Sequence, residues 1–453
     1  MKKLYLLTVL FCGLFAFSGN VGAAAVDWGT GAGESTSLPC ITVANPVPAC
    51  SGEWKLTSDI TLTGLKRWDT SAVDVTIDLN GFKITADNSL AVLSGASLTI
   101  KDTAGGGYIK SSGGGFGALY AQEGHITIES GKVISTAQDT ILVLIKGSEV
   151  ATATNAASLT IGKDAVLEYE APGYGYGVQI DKRNSFTAYG LNVEINGTID
   201  TTTPNSFGGL YINGTIQHKE NAPKISVGPT AIIKTAGAGI YAGGYGEWDF
   251  ADGSSITGVS SALAVKSGDF TINGGTFTAT GPDTTPTSGF SNGINASGAA
   301  IQIEANSGYA GEAELIINNG TFVSENGRVI YEYLDDSATD TAVTKLAINN
   351  GEFTSLADKD VFMFSEEFSE AITGFVFGGT FSSNPSAYLS PTVKASVDSE
   401  GNFIVGTPST NPPATDDTEN PDTGDMNLLV IGAGALAALV GVALTSKKLK
   451  KLL

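Results

Sequence analysis

One phrase recurs through the middle of this chain and constrains what it can fold into. It is a short alternating apolar strand, a turn made by Gly, Asn or Asp, and a second short strand. The copies read VTIDLNGFKI (75–84), SLTIKDTAGGGYIKS (97–111), HITIESGKVIST (125–136), SLTIGKDAVLEY (158–169), NVEINGTIDT (192–201), KISVGPTAIIKT (224–235), FTINGGTFTAT (270–280), ELIINNGTFVS (314–324), KLAINNGEFTS (345–355) and GFVFGGTFSS (374–383). Alternation with a period of two is the mark of a strand, and the residues at the turn are those that tolerate positive φ.

The central apolar residue of each copy serves as an anchor: Ile77, Ile100, Ile128, Ile161, Ile195, Val227, Ile272, Ile317, Ile348 and Val376. Successive anchors lie 23 to 45 residues apart, and Phe250 splits the interval from Val227 to Ile272 into 23 and 22. The shortest spacing suits one three-stranded turn of a β-coil, and the longer ones leave room for loops. A unit this small cannot bury its own apolar face, so the copies must stack. The expected fold is all-β, a parallel β-helix solenoid over 61–383 with no helix in its repeats. A string of sandwich domains would need linkers about every 100 residues, and none interrupts Asp59 to Ser383. Ten or eleven coils at roughly 4.8 Å give a rod about 50 Å long.

Both ends of such a rod need covers. Residues 26–60, with Trp28 and Trp54, are expected to cap the N-terminal end, and 384–406 to form a C-terminal cap in which TVKASV and NFIV pair as a hairpin around DSEG. Cys40 and Cys50 bracket CITVANPVPAC; a disulfide that staples the cap is the expectation, and free thiols are the alternative. Residues 407–419, with three prolines and no large apolar side chain, read as an extended linker.

The N-terminus has Lys2 and Lys3, an apolar stretch from Leu4 to Phe17 and then small residues, the order of a secretory signal peptide (1–25) cleaved after Ala23 or Ala25. Bulky Phe11 ahead of Cys12 argues against lipidation there. The formal net charge of −21 and three scattered arginines, Arg67, Arg183 and Arg328, make nucleic acid an improbable partner, because phosphate binding needs clustered basic side chains.

The pattern SDITLTG, VTIDLNGFKITA, LTIKDTAGGG, then NGGTF, NNGTF and GGTFSSNPSAYL, resembles the right-handed β-helix surface proteins of Gram-positive gut bacteria over residues 50–406. Their fold is similar to that of pectate lyases. The resemblance implies the right-handed coil; it implies little about activity, since one solenoid serves both enzymes and passive stalks.

The last segment, 420–453, has a second resemblance. Asn420-Pro421-Asp422-Thr423-Gly424 precedes an apolar run from Met426 to Leu444 and then Lys447, Lys448, Lys450 and Lys451. As a helix the run would rise about 28 Å, close to the ~30 Å bilayer core, and basic residues prefer the cytoplasmic side. Motif, run and basic end resemble the sorting signal of sortase substrates, usually written L-P-x-T-G, with Asn420 in place of Leu. The resemblance implies that a sortase cysteine attacks the Thr423 carbonyl, expels Gly424 with the rest of the tail, and joins Thr423 to peptidoglycan. The precursor alone would then touch the membrane, through its C-terminal helix.

Chemistry on the rod is sparse in the sequence. Adjacent carboxylates occur at Asp335-Asp336 and Glu366-Glu367, both in loop-like stretches where solvated charge is the expectation. His125 and His218 lie too far apart for a metal-ligand spacing, so neither a metal nor a cofactor is expected. Aromatic residues among glycines, in GYGYG (173–177) and YAGGYGEW (241–248), make Tyr174, Tyr176, Tyr241, Tyr245 and Trp248 candidate glycan contacts, if glycine leaves their rings uncrowded. Packing of the same rings on adjacent coils is the alternative. The reading is a secreted, wall-anchored, non-enzymatic adhesin of a Gram-positive bacterium that binds a glycan or host surface. An anchored polysaccharide lyase or glycoside hydrolase is the alternative.

Overall fold

The computed structural model describes residues 50–407, except 70, 72, 114–115, 172, 184–187, 204–205, 215, 218, 221, 286–296, 306–311, 336–337 and 339–340, together with two short strands at 26–28 and 33–34. All of these fall in the first of two compact units, Met1–Pro408. The signal peptide, Cys40, the Cys50 side chain, His218, the linker beyond 407 and the sorting motif with its apolar helix lie outside the described residues. Among the described residues no helix is long and apolar enough to cross a membrane.

The fold is all-β and built from stacked parallel strands, compatible with a β-helix. Three ladders run its length. In the first, Val73–Asp78 pairs with Ser97–Lys101, and the series continues through His125–Ser135, Ala157–Tyr169, Leu191–Ile195 and onward to Val343–Ile348. The second ladder follows each turn, from Lys83–Ala86 through Thr276–Ala279 to Gly379–Phe381. These two belong to one 25-stranded sheet, and the third ladder, Lys66–Asp69 through Phe362–Met363, is an 11-stranded sheet of its own.

The anchors stack as a single column. Ile77 pairs with Ile100, Ile100 with Ile128, Ile128 with Ile161, and so on through Val227, Phe250, Ile272, Ile317 and Ile348 to Val376. Every member is buried, because successive side chains of a strand point to opposite faces and the anchor takes the inner one. In the second ladder the inner column changes from aliphatic to aromatic: Phe277, Phe322, Phe353 and Phe381 stack with centroids 5.1, 4.8 and 4.9 Å apart.

The turn between first and second strands is held by polar side chains. Asn80 and Gly81 both have positive φ, 49° and 81°, which a bulky residue would resist. Asp78 accepts from the Asn80 N–H at 2.9 Å, the Thr103 N–H at 3.0 Å and the Thr103 hydroxyl at 2.7 Å. Later coils use asparagine instead: the Asn273 amide donates to Asp249, Asn318 to Asn273 and Asn349 to Asn318, each at 2.9 Å.

Burial alone would raise the Asp78 pKa, but the bonds from Thr103 and Asn80 outweigh it and hold the carboxyl below the ordinary 3.8. A depressed carboxylate stabilises the fold above its unfolded pKa, and that contribution fades as pH falls through the folded value. Asp78→Ala should therefore cost about 1–3 kcal/mol at pH 7, with the gap from wild type closing below about pH 4, in urea titrations at both pH values.

Uneven coil lengths come from insertions between strands. Residues 280–298 join the second strand to the third, and 147–156, 182–190, 213–223, 306–312, 335–342 and 364–374 lead from a third strand into the next coil. One insertion contains a helix, Glu366–Ala371, where the sequence offered only a loop. Ser365 caps it by accepting from the Phe368 N–H at 3.0 Å, and Phe368 is buried against Phe364, 4.0 Å away. At the C-terminal end Lys394–Val397 and Phe403–Gly406 form an antiparallel hairpin, whose second strand also pairs antiparallel with Gly379–Phe381.

Candidate functional site

The outer face of the first ladder carries two rows of polar side chains, because residues one and three before each anchor point away from the core. The inner of these rows runs Thr160, Glu194, Ser226, Asp249 and Thr271; the other runs Ser158, Asn192, Lys224, Glu247 and Asp269. Together they floor a groove of about 640 Å³ along the stacking direction. A smaller hollow of about 310 Å³ shares Asn192 and Lys224 and is bounded by Ala153, Thr154 and Asn155 of one insertion and Ala222 of another.

The groove is acidic with cations at its edge. Lys224 lies 3.8 Å from Glu247, and Lys219 reaches from the 213–223 insertion to Asp269 at 3.4 Å and Glu314 at 3.7 Å. Tyr245 donates to Asp269 at 2.7 Å, and Lys219 sits over its ring, 5.4 Å from the centroid. Burial pushes the Tyr245 phenol above its ordinary value, so the hydroxyl stays protonated and keeps donating. At the near end His125 Nδ1 lies 2.9 Å from Ser158 Oγ, and burial holds this imidazole below its ordinary 6.5.

The five candidate aromatic residues divide into three places. Tyr174, Tyr176 and Tyr241 share the outer face of the third ladder with Phe207 and Tyr211, in a stack with centroid separations of 4.6 to 5.6 Å. Tyr174 is 57% exposed and Tyr241 only 3%. Tyr245 is buried behind Asp269, and Trp248 faces the core, stacked on Phe270 at 5.8 Å. Contrary to the expectation that glycine leaves these rings uncrowded, a Cβ at Gly175 would lie 2.4 Å from the Tyr169 ring and one at Gly177 2.4 Å from Ile199. Gly175 admits the Tyr169 ring of its own coil and Gly177 the next coil, and the rings stack mainly on one another.

The adjacent carboxylates behave differently from each other. Glu366 and Glu367 are exposed in the first turn of the helix, whereas Asp335 is buried, not solvated. It lies at the end of a polar cluster on the third ladder. There Lys266 and Glu304, 1% and 2% exposed, pair at 3.0 Å, and the Gln302 amide donates to Glu304 at 3.4 Å. Burial lowers the Lys266 pKa against the opposing pull of Glu304. Arg183 pairs with Glu149 and Arg328 with Asp283. Among the described residues no three His, Cys, Asp or Glu side chains are placed to hold a metal.

The groove carboxylates Glu194, Glu247, Asp249 and Asp269 are up to 75 residues apart in sequence, so a search for neighbouring acids passes over them. Aligning the anchors and reading one and three positions back would have found them. Comparison of the chain with protein-family models, with curated proteins and with solved structures returned no match.

Proposed function

We propose that this chain is a wall-anchored surface protein of a Gram-positive bacterium, and that its right-handed β-helix is an adhesin that binds an extended glycan along the first-ladder groove. The observation that carries the binding reading is the groove itself: coil after coil it presents two rows of hydroxyl, amide and carboxylate groups, the donors and acceptors that a polyhydroxylated polymer needs. Residues 1–25 would direct export, and Asn420 to Gly424 would be the sortase site that leaves Thr423 on peptidoglycan. Exposed Tyr174 would supply a secondary contact on another face.

Glycan-array screening of the full chain tests the binding. Glu194→Ala combined with Asp249→Ala should weaken the captured glycan at least tenfold, since each hydrogen bond to a charged group contributes about 1.5–3 kcal/mol. Unchanged affinity would remove the groove from the reading. Deleting Asn420 to Gly424 should move the protein from the muramidase-released wall fraction to the membrane fraction, and wall material that persists would refute anchoring.

A second reading, a polysaccharide hydrolase, is favoured by the same four carboxylates on one face. It requires a pair flanking a glycosidic bond, and shortened products from the bound glycan would establish it.

A further inference from the structure

We propose that the groove also holds an ester-hydrolysing centre, in which Ser158 is the nucleophile and His125 its base, acting on O-acyl groups carried by the bound polymer. The inference rests on the groove as a polymer site and adds a reaction to it. His125 and Ser158 are direct partners on consecutive coils, both on the outer face, with Nδ1 and Oγ 2.9 Å apart. Both are fixed in strands of the first ladder, so their separation is set by the stacking of coils and not by a loop.

The surroundings suit acyl transfer. A partly buried, neutral imidazole is the form that accepts a proton from a serine hydroxyl. On the far side of Ser158 its partner is Asn192, whose Nδ2 contacts Asn155 Oδ1 at 3.4 Å. That carboxamide, on the neighbouring coil, would serve as the oxyanion donor on leaving Asn155. Beyond Asn192 the groove continues past Lys224 to Asp269, where the rest of the chain of sugars would lie.

In the reaction, Ser158 Oγ attacks the acyl carbonyl carbon while its proton passes to His125. The bond to the sugar oxygen breaks, and that oxygen takes the proton back from His125, leaving an acyl-serine. Water then attacks the acyl carbon, gives its proton through His125 to Ser158 Oγ, and the carboxylic acid departs. The imidazole has no carboxylate among its hydrogen-bond partners in the described residues, and the lack of such an orienting group lowers serine hydrolysis by about 10⁴ in a three-residue centre. Slow turnover is therefore expected, suited to trimming a polymer already held.

The test uses the full chain with a fluorophosphonate, with p-nitrophenyl acetate and with O-acetylated xylan. Mass spectrometry should find the phosphonyl adduct on Ser158, and acetate should be released from both esters. Ser158→Ala should abolish the adduct and lower acetate release at least a hundredfold; His125→Gln should lower it by about 10² or more, beyond any change it makes in glycan capture. A wild-type chain that carries no adduct at Ser158 and releases acetate no faster than Ser158→Ala overturns the inference, and this result does not depend on any variant folding. Glycan capture without adduct or acetate removes the ester centre and leaves the binding groove; adduct without capture of any glycan removes the groove as a polymer site.

Discussion

Phe322→Ala is expected to destabilise the solenoid by about 3–5 kcal/mol, the range for removing a buried phenyl ring. Phe322 is fully buried, and its ring lies between Phe277 and Phe353 at 5.1 and 4.8 Å. Both faces of the lost ring have a partner, so the cavity cannot close without moving two coils. Because stability in a stacked array is a sum of coil and neighbour terms, the damage should concentrate between the coils of Phe277 and Phe353. Hydrogen exchange should show faster opening there than around Ile109 and Val133, the aliphatic stretch of the same column. Guanidinium unfolding gives the total, and a loss under 1 kcal/mol would mean that the ring column contributes little beyond filling space.

Glu304→Ala is expected to cost a similar amount, about 3–5 kcal/mol, for a different reason. It leaves the Lys266 ammonium in a site 1% exposed without the carboxylate 3.0 Å away. Replacing both, with Lys266→Met and Glu304→Leu, should return stability to within about 1 kcal/mol of wild type or above it, because desolvation of two charges offsets much of their attraction. Urea midpoints of the two single variants and the double variant complete the cycle. If the double variant is as unstable as Glu304→Ala, the pair has a further structural role, such as fixing the adjoining 280–298 insertion.

The column of anchors was legible in the sequence because its signal is local and repeated: an apolar residue followed by a turn. Even Phe250, where the phrase is reduced to WDF, falls in register between Val227 and Ile272. The groove was less legible. Its side chains alternate with the anchors, but Thr160, Glu194, Ser226 and Asp249 share no residue type, and only the ladder brings them side by side. The crowding around the aromatic candidates was illegible for another reason. Glycine next to tyrosine signals close approach of backbone as readily as open space, and distances such as the 2.4 Å from a Gly175 Cβ to Tyr169 decide between them. Lys266 and Glu304, 38 residues apart, gave no local signal at all.

The two compact coils around Phe250, 23 and 22 residues from anchor to anchor, give the molecule an adjustable length. Excising residues 251–272 would join Phe250 to Asn273 and set Phe250 opposite Ile317, shortening the stack by one step of about 4.8 Å. The groove would lose one rung, Asp269 and Thr271, and the third ladder would lose Lys266, so buried Glu304 would need an apolar replacement. Reach and number of contacts can thus change in whole steps through gain or loss of a coil, provided that a buried partner such as Glu304 changes with it.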